Sequence, residues 1–336
     1  MSEENVPLIS IIIPTYNSSR TIRHSLDSIS NRSNKDVEII IVDDGSVDNT
    51  VKIAEGFGCR IINLNGDQGL ATARNTGAQQ AKGEILLFVD SDILLKKEIL
   101  QRLVEHFKNS DSYVIQAAVS AYCPYKNFSS QYKNLVQYYR FSKMSEFIST
   151  VMTTCLAVKR KIFLKTEGFD LNFKKPTIED FDFATKLLRA GYKIYLDKQL
   201  EYVHMKYFNF WKLIKHQYQQ SKGAIKFILR TRCRGVTMKK NEFANKSTFE
   251  ILRIPLVYLI LLSLILNIFW KGLFLFATIL FVIIFIISLD FLKCIKKKKG
   301  LKFAIKCFFM GILDSFVCGL GALVGFLEYV VFRKYY

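Results

Sequence analysis

The C-terminal part of the chain contains long apolar runs, and they restrict the possible folds more than any other feature of the sequence. The runs 251–269 and 272–292 each have the length of roughly 20 residues that a helix needs to cross the hydrocarbon core of a bilayer. Only Trp270 and Lys271 separate them, which leaves room for a tight turn. The sequence therefore predicts a helical hairpin that spans a membrane.

A third apolar run, 307–332, allows two interpretations. It contains Asp314 and Glu328, and acids inside a membrane are costly, which favours a re-entrant or interfacial helix. It also contains small residues at four-residue spacing, as at Gly321 and Gly325, and such residues let helices pack closely in lipid. We expect this run to be a third span and leave the re-entrant alternative open.

The loop between the second and third runs gives the expected orientation. Residues 293–306 read KCIKKKKGLKFAIK, and strongly basic loops of this kind stay in the cytoplasm. Two spans before this loop put the N-terminal part of the chain on the same side. The start, MSEENVPLISIII, has no basic segment before a long apolar stretch, so we expect no signal peptide. The sequence thus predicts a multi-pass protein of the cytoplasmic membrane with its N-terminal domain in the cytoplasm.

The net charge of +19 is concentrated next to the membrane runs. Residues 206–250 are rich in Lys and Arg, interleaved with aromatic residues such as Phe208 and Trp211, and they directly precede the first run. This pattern indicates a basic amphipathic membrane-interface segment that meets anionic headgroups or lipid phosphates. A solvated basic linker is the alternative. A nucleic-acid-binding function would need the excess charge on the N-terminal domain, so we expect no nucleic-acid partner.

Residues 1–205 have the pattern of a soluble α/β domain. Strands are predicted at 8–14, 38–42, 60–63 and 85–89, and helices at 21–31, 48–57 and 72–81. This alternation predicts βαβ units and a parallel, doubly wound sheet. In such sheets, ligands bind just beyond the carboxyl ends of the strands.

Polar clusters follow three of the predicted strands. They are Pro14-Thr15-Tyr16-Asn17, Asp43-Asp44-Gly45-Ser46 and Asp90-Ser91-Asp92. Because the carboxyl ends of parallel strands share one edge of the sheet, we expect the clusters to converge there. Asp90 and Asp92 directly follow the apolar run ILLFV, and two carboxylates at this spacing suit Mg²⁺ or Mn²⁺. Each cluster also has a simpler interpretation, as solvated acids, a helix cap or a turn.

Five motifs occur in a fixed order along the first 205 residues. They are SIIIPTYN (10–17), EIIIVDDGSVDNT (38–50), GLATARNTGAQQAKGEILLFVDSD (69–92), EGFD (167–170) and IEDFDFATKLLRAGYKI (178–194). The ordered set resembles the family-2 glycosyltransferases. This resemblance implies a GT-A type, Rossmann-like nucleotide-sugar-binding domain over residues 1–205, followed by the transmembrane region 251–336.

The resemblance implies roles for the polar residues at the strand ends. The residues expected to bind the nucleotide sugar are Pro14, Tyr16, Asp43, Asp44, Arg74 and Asp90. Among them, Pro14, Tyr16, Asp43 and Asp44 would line the nucleoside pocket, with an aspartate accepting hydrogen bonds from uracil or another base. Arg74 would face the sugar or its phosphates, and Asp90 would contact the ribose or the sugar.

The resemblance also implies a divalent metal ion, Mg²⁺ or Mn²⁺, that holds the diphosphate of the donor. Asp92 is the expected direct ligand, with Asp90 beside it in the same DxD-type pair. His204 matches a position where some relatives offer a further metal or phosphate contact. A lone His between apolar residues is more often structural, so the sequence leaves both interpretations of His204 open.

Glu179 and Asp180 correspond to the acidic catalytic motif of the family, with Asp180 in the position of the general base. A structural alternative exists, because Thr177-Ile178-Glu179-Asp180 resembles a helix capping box with Asp in place of the usual Glu or Gln. Beside the other four motifs, the catalytic role is favoured.

Together, these features predict an inverting transferase that moves a single sugar from a nucleotide diphosphate sugar, in the first instance a UDP-sugar, to a membrane-associated acceptor. The expected acceptor is a lipid-linked glycan in the synthesis of a cell-surface polysaccharide or glycoconjugate. A polyprenyl phosphate is the alternative acceptor, and an inactive membrane-anchored nucleotide-sugar-binding protein is the alternative from another class. The region before the first span reads HQYQQSKG and lacks the Arg-Trp pair of processive synthases, which favours single transfer.

Overall fold

The computed structural model describes residues 8–30, 36–66, 68–109, 113–172, 179–232 and 247–332 of the 336-residue chain. The strands are β1 (Ile9–Thr15), β2 (Val37–Asp43), β3 (Arg60–Asn63), β4 (Ile85–Val89), β5 (Ile93–Leu95), β6 (Val114–Val119), β7 (Phe147–Ile148), β8 (Cys155–Lys159) and β9 (Ile194–His204). The helices are α1 (Ile22–Ser30), α2 (Thr50–Glu55), α3 (Leu70–Gln80), α4 (Ile99–Asn109), α5 (Phe128–Lys143), α6 (Arg160–Lys165), α7 (Glu179–Arg189), α8 (Phe210–Arg232), α9 (Thr248–Leu266), α10 (Leu273–Lys299) and α11 (Leu301–Val330).

The chain divides into two units that are interleaved in sequence. The first unit comprises Met1–Lys126 and Met144–Tyr207 and contains the whole sheet. The second comprises Asn127–Lys143 and Phe208–Tyr336 and contains α5 together with α8 to α11. The sequence pattern places a boundary near residue 205 but gives no sign that α5 groups with the C-terminal helices.

The first unit is built on one mixed sheet. Its strand order is β3-β2-β1-β4-β8-β6-β9-β5, and β7 pairs with β9. β1 to β4 pair with one another in parallel, as the sequence predicts. From β8 onward the sheet departs from the predicted all-parallel arrangement, because β8 is antiparallel to both β4 and β6. The prediction relied on helices between successive strands, because parallel strands need such crossover connections. β7 and β8 follow each other with no helix between them, so the predicted alternation ends there.

The register of the parallel strands aligns their carboxyl ends. β1 and β4 are buried along their whole length, which matches their continuous apolar sequences. In the pairing of β1 with β2, Thr15 lies beside Asp43, and in the pairing of β1 with β4, Ile12 lies beside Phe88. The polar clusters that follow these strands therefore begin at one edge of the sheet, as expected from the sequence.

The second unit contains three helices, α9, α10 and α11, that are long and apolar enough to cross a membrane. This confirms the three apolar helices expected from the sequence. The basic loop predicted at 293–306 is mostly helical instead, because α10 continues to Lys299 and α11 begins at Leu301. The turn is confined to Gly300, whose φ of 84° lies in the left-handed region that favours glycine.

The two acids of α11 have partners on α8. Asp314 accepts hydrogen bonds from the side-chain amide of Gln217 at 2.7 and 2.8 Å. Glu328 pairs with Lys222 and with Lys226, the latter at 2.5 Å. These contacts explain how α11 continues unbroken through two acidic residues. The predicted interface role of 206–250 stays a prediction, and residues 233–246 of that segment lie outside the described residues.

Helix α5 contributes polar side chains to the second unit. The guanidinium of Arg140 donates two hydrogen bonds, at 2.8 and 2.5 Å, to the carboxylate of Glu250 on α9, and both residues are buried. The hydroxyl of Tyr132 donates a hydrogen bond to Asp314 at 3.3 Å. Buried charges need such partners, so α5 is an integral part of the helical unit.

The close packing of α8 and α11 requires small residues, and Gly321 is the clearest case. A Cβ at Gly321 would lie 2.5 Å from the backbone oxygen of Tyr218. We expect Gly321→Leu to lower the free energy of unfolding by about 1–3 kcal/mol or more through overpacking, measured as a lower apparent melting temperature in detergent. Gly272→Leu is the control, because nothing lies within 4 Å of that Cβ position. Equal melting temperatures for the two variants would contradict the packing described.

Candidate active site

Asp43 organises the loop that follows β2. Its buried carboxylate accepts hydrogen bonds from the Thr15 hydroxyl at 3.0 Å and from the backbone N–H groups of Gly45 and Ser46 at 3.2 and 2.8 Å. The Ser46 hydroxyl donates a fourth bond at 2.5 Å. These bonds join the carboxyl ends of β1 and β2. The expected contact of Asp43 with a base stays a prediction, and its carboxylate already has this internal role.

Asp44 fixes the loop that precedes α3. Its two carboxylate oxygens accept hydrogen bonds from the backbone N–H groups of Gln68 and Gly69, both at 2.9 Å. Gly45 and Gly66 both have positive φ and pack so closely that a Cβ at Gly45 would lie 2.8 Å from the Cα atom of Gly66. Asp44 and Gly45 of the DDGS sequence therefore have roles in the backbone geometry of the loop itself.

The remaining residues expected at the nucleoside pocket lie at the end of β1. Pro14 is buried and pairs with Val42 of β2, and Tyr16 is exposed. The next residue, Asn17, donates a backbone hydrogen bond to the Ser46 hydroxyl at 2.8 Å. The loops after β1 and β2 are thus bonded to each other and bring these predicted residues to one edge of the sheet.

Arg74 of α3 lies at the centre of an acidic cluster. Its side chain is only 2% exposed, and Nη2 donates a hydrogen bond of 3.0 Å to Oδ1 of Asp90. Nη1 lies 3.5 Å from Oε1 of Glu179 and 3.7 Å from Oδ1 of Asp180. One buried cation therefore joins the acid pair after β4 to the acids at the start of α7.

The charge of Arg74 is maintained by these acids. Burial alone would lower the pKa of Arg74, but the carboxylates of Asp90, Asp180 and Glu179 outweigh burial and raise it. Its Nη1 and Nε atoms have no hydrogen-bond partner among the described residues. The predicted contact of Arg74 with the sugar or phosphates stays a prediction, and the structure adds an ion-pair role that the sequence did not indicate.

The EGFD motif positions an aromatic ring on Arg74. The side chain of Asn75 exchanges two hydrogen bonds with the backbone of Phe169, at 2.8 and 3.0 Å. Gly168 has a φ of 52°, and a Cβ there would lie 2.6 Å from the amide oxygen of Asn75. The guanidinium carbon of Arg74 lies 5.5 Å from the centroid of the Phe169 ring, which is within cation–π range.

Asp180 is held in place by Thr153, in the loop between β7 and β8. The Thr153 hydroxyl donates a hydrogen bond of 2.5 Å to Oδ1 of Asp180, and its backbone N–H donates one of 3.3 Å to Oδ2. Burial raises the pKa of Asp180, although Arg74 and Thr153 oppose part of this effect. A carboxylate with a raised pKa is a better proton acceptor. Its side chain remains 25% exposed.

The structure describes only part of the capping box suggested for Asp180. Helix α7 begins at Glu179, so both acids lie in its first turn, where the helix dipole favours negative charge. Thr177 and Ile178, which complete the suggested capping box, lie outside the described residues.

Asp92 and His204 face each other beyond β4 and at the end of β9. Oδ1 of Asp92 lies 3.3 Å from Nε2 of His204, and the backbone oxygen of Asp92 accepts a hydrogen bond of 2.7 Å from the N–H of Met205. Burial would raise the pKa of Asp92, but His204 and Lys206 lower it to about 2. The Asp92 carboxylate is therefore ionised at neutral pH.

Asp92 and His204 fit a divalent metal ion that also binds a diphosphate. Nε2 of His204 is buried, and its close contact within the described residues is the one with Oδ1 of Asp92, so both atoms point to the same place and could bind one ion there. In the described part of the chain, no group of three or more His, Cys, Asp or Glu side chains is arranged to hold a metal. Mg²⁺ sites commonly use one or two carboxylates and complete their coordination with water and substrate phosphates. Asp90 is bonded to Arg74, so Asp92 and His204 are the better matched pair.

Two residues beside these acids were missed by the sequence reasoning. Thr153, which holds Asp180, lies in an ordinary threonine pair with no motif around it. Tyr202 is fully buried, and its hydroxyl has no hydrogen-bond partner among the described residues. The spacing of Tyr202 and His204 is the one available signal, because residues two apart on a strand share a face.

Solved structures of other proteins share this fold. A mannosyltransferase from Pyrobaculum calidifontis, solved with GDP-Man and Mn²⁺, aligns with a TM-score of 0.59 and 14% identity over 96% of this chain and 88% of its own. Residues 1–349 of Staphylococcus aureus TarS, solved with UDP-GlcNAc, align with a TM-score of 0.50 and 18% identity over 94% of this chain and 91% of that chain. The mixed sheet, with acids beyond β4 and at the start of α7, thus defines a GT-A fold followed by apolar helices.

Sequence comparison finds a family match within the first unit. Residues 10–166 match the profile described as glycosyl transferase family 2. The glycosyltransferase GlyG of Streptococcus pneumoniae is 33% identical over 113 residues, and the uncharacterized glycosyltransferase EpsJ of Bacillus subtilis is 37% identical over 116 residues. These matches cover 32% and 33% of this chain and 38% and 33% of the two relatives, so the chain spans little more than a third of their lengths.

A longer match covers more of the chain. The uncharacterized glycosyltransferase RT0329 of Rickettsia typhi is 30% identical over 207 residues, which are 58% of this chain and 62% of that protein. The family match is thus confined to residues 10–166, and this domain is similar to the family-2 glycosyltransferases.

The melting temperature of a variant tests the ion-pair role of Arg74. Arg74→Met would leave three acids facing one another without the buried cation, and breaking a buried pair in this way costs about 3–5 kcal/mol. We expect a correspondingly large drop in the melting temperature of the purified protein. The control is Arg60→Met, because Arg60 is exposed and hydrogen-bonds Gln80. Similar melting temperatures for both variants would contradict the role assigned to Arg74.

Proposed function

We propose that this protein is an inverting, metal-dependent glycosyltransferase that moves one sugar from a nucleotide diphosphate sugar to a membrane-associated acceptor. The observation that carries the proposal is the position of Asp180. This acid has a raised pKa, remains partly exposed, and is linked through Arg74 to Asp90 of the acid pair after β4. The glycosyltransferase names of the curated relatives support the same activity.

The donor binds at the carboxyl ends of β1, β2 and β4. Pro14, Tyr16, Asp43 and Asp44 form the nucleoside side of this pocket. UDP is the expected nucleotide, and the solved neighbours bind UDP-GlcNAc in one case and GDP-Man in another. Asp90, fixed by Arg74, contacts the ribose or the sugar, so the anomeric carbon lies between the nucleoside pocket and Asp180.

Asp92 and His204 are the residues that would hold the metal, on the diphosphate side of the donor. When bound, Mg²⁺ or Mn²⁺ acts as a Lewis acid that neutralises charge on the leaving diphosphate. The lowered pKa of Asp92 keeps this ligand anionic at neutral pH. His204 would serve as the second ligand through Nε2, the atom that faces Asp92.

Asp180 acts as the general base. As an acceptor hydroxyl attacks the anomeric carbon, its proton passes to the Asp180 carboxylate, the new glycosidic bond forms, and the bond to the diphosphate oxygen breaks with its electron pair. One displacement inverts the anomeric centre. Thr153 orients the carboxylate through its two hydrogen bonds, and Glu179 supports the Arg74 side of the cluster.

The acceptor is a lipid-linked glycan at the cytoplasmic face of the cell membrane. The three apolar helices and the basic segment that precedes them support membrane association. The lysine-rich turn between α10 and α11 supports a cytoplasmic position for that turn and for the catalytic domain. A polyprenyl phosphate is the alternative acceptor. Such a phosphate is already anionic and needs no base, so dependence on Asp180 separates the two.

The activity is tested with detergent-solubilised protein, a panel of nucleotide sugars, Mg²⁺ or Mn²⁺, and lipid extract. We expect lipid-dependent release of nucleoside diphosphate, reduced by about 10²–10⁴-fold in Asp180→Asn because the general base is lost. Asp27→Asn is the matched control, since Asp27 is exposed on α1. Release that survives Asp180→Asn would indicate a polyprenyl phosphate acceptor. No release from any donor, with lipid extract present, would contradict the transferase and favour a binding protein.

The metal site is tested separately. EDTA should abolish release, and added Mn²⁺ or Mg²⁺ should restore it. For His204→Ala we expect the metal concentration at half-maximal activity to rise by at least about tenfold, because one of the two ligands is lost. His24→Ala, a change at an exposed histidine of α1, should leave it unaltered. Activity that is insensitive to EDTA would show that the reaction needs no metal.

A further inference from the structure

Two tyrosines pack together where β6 and β9 end. Tyr125 follows β6, and Tyr207 follows β9. Their rings pack edge to face with their centroids 5.3 Å apart. Tyr207 is 47% exposed, so this tyrosine cluster presents aromatic surface to solvent. Neither residue belongs to the motifs that define the family.

The tyrosine cluster is attached to the proposed metal ligands. The Tyr125 hydroxyl donates a hydrogen bond of 3.3 Å to the backbone oxygen of Met205, whose own N–H donates one of 2.7 Å to the backbone oxygen of Asp92. Met205 directly follows His204. Burial and the nearby charge of Asp92 raise the pKa of Tyr125. Through Met205, the Tyr125 side chain is therefore bonded to the segments that carry His204 and Asp92.

Exposed aromatic rings in such a position need an explanation. Scattered apolar side chains are normal on a surface, whereas a cluster beside a site indicates a ligand that covers it. Tyrosine has a flat apolar face and a hydroxyl, and aromatic side chains contribute large contact area at binding sites. A pyranose ring has the complementary structure, with an apolar C–H face and hydroxyls at its rim.

We propose that Tyr125 and Tyr207 form a subsite for a sugar ring of the acceptor glycan. This inference rests on the proposed function and makes it narrower, because it assigns residues to the carbohydrate part of the acceptor. The rings of Tyr125 and Tyr207 supply the stacking surface, and the hydrogen bond to Met205 fixes the Tyr125 ring beside Asp92.

The same sheet provides a matched control. Tyr113 and Tyr192 precede β6 and β9, the strands whose other ends carry the tyrosine cluster. Their rings also pack edge to face at a centroid distance of 5.3 Å. Because β6 and β9 are parallel, this control pair lies at the opposite ends of the strands from the proposed subsite. Tyr192→Ala therefore removes an equivalent ring contact away from the site.

The test is saturation-transfer NMR on the full chain in detergent with UDP and Mg²⁺. The probes are cellotetraose, chitotetraose, maltotetraose and mannotetraose. We expect transfer to at least one probe with the wild-type protein and with Tyr192→Ala. Tyr207→Ala should weaken binding by about tenfold or more through loss of the stacking face, and Tyr207→Phe should retain it because the ring remains. Circular dichroism confirms that each variant is folded.

The outcomes separate this inference from the proposed function. The inference is overturned if no probe receives saturation from the wild-type protein, or if Tyr207→Ala binds as well as Tyr192→Ala does. Asp180→Asn should bind the probes normally while failing in transfer, because glycan binding does not need the base. Normal glycan binding in a protein that releases no nucleoside diphosphate would refute the transferase and leave the subsite standing.

Discussion

Arg74 carries a positive charge in a place where burial alone would remove it, and three carboxylates keep it there. Because it contacts Asp90 and also Glu179 and Asp180, one side chain joins the end of β4 to the start of α7. Burial and the nearby charge of Asp90 raise the pKa of Asp180, and Arg74 opposes part of this shift. One buried cation thus influences acids on two separate elements of the unit.

The sequence predicted the parts of the fold that depend on local pattern. The strands β1 to β4 follow from apolar runs bounded by polar clusters, and their parallel pairing follows from the helices between them. The mixed half of the sheet could not be predicted, because β7 and β9 are set by pairing between residues distant in sequence. The ion-pair partners of Arg74 could not be predicted for the same reason, because they lie on other elements of the fold. The motif identified Asp43 as a candidate site residue, but its four internal hydrogen bonds depend on a turn that the sequence does not show.

In the helical unit, Asp314 and Glu328 left two interpretations of α11 open in the sequence. The same two acids bond α11 to its neighbouring helices. Asp314 accepts hydrogen bonds from Gln217 of α8 and from Tyr132 of α5, and Glu328 pairs with lysines of α8. Hydropathy scores each residue by itself and therefore counts an acid as a cost. In the folded bundle the cost is offset by partners that lie far away in the chain, which explains why a residue-by-residue reading left two interpretations open.

The interleaving of the two units has a consequence for how the protein is made. During synthesis α5 emerges well before α9 and α11, which carry Glu250 and Asp314, the bonded partners of Arg140 and Tyr132. The strands on both sides of α5 belong to the sheet, so no single cut in the chain separates the two units. A chain cut after Tyr207 would keep α5 but lack the two acids to which its buried Arg140 and Tyr132 bond.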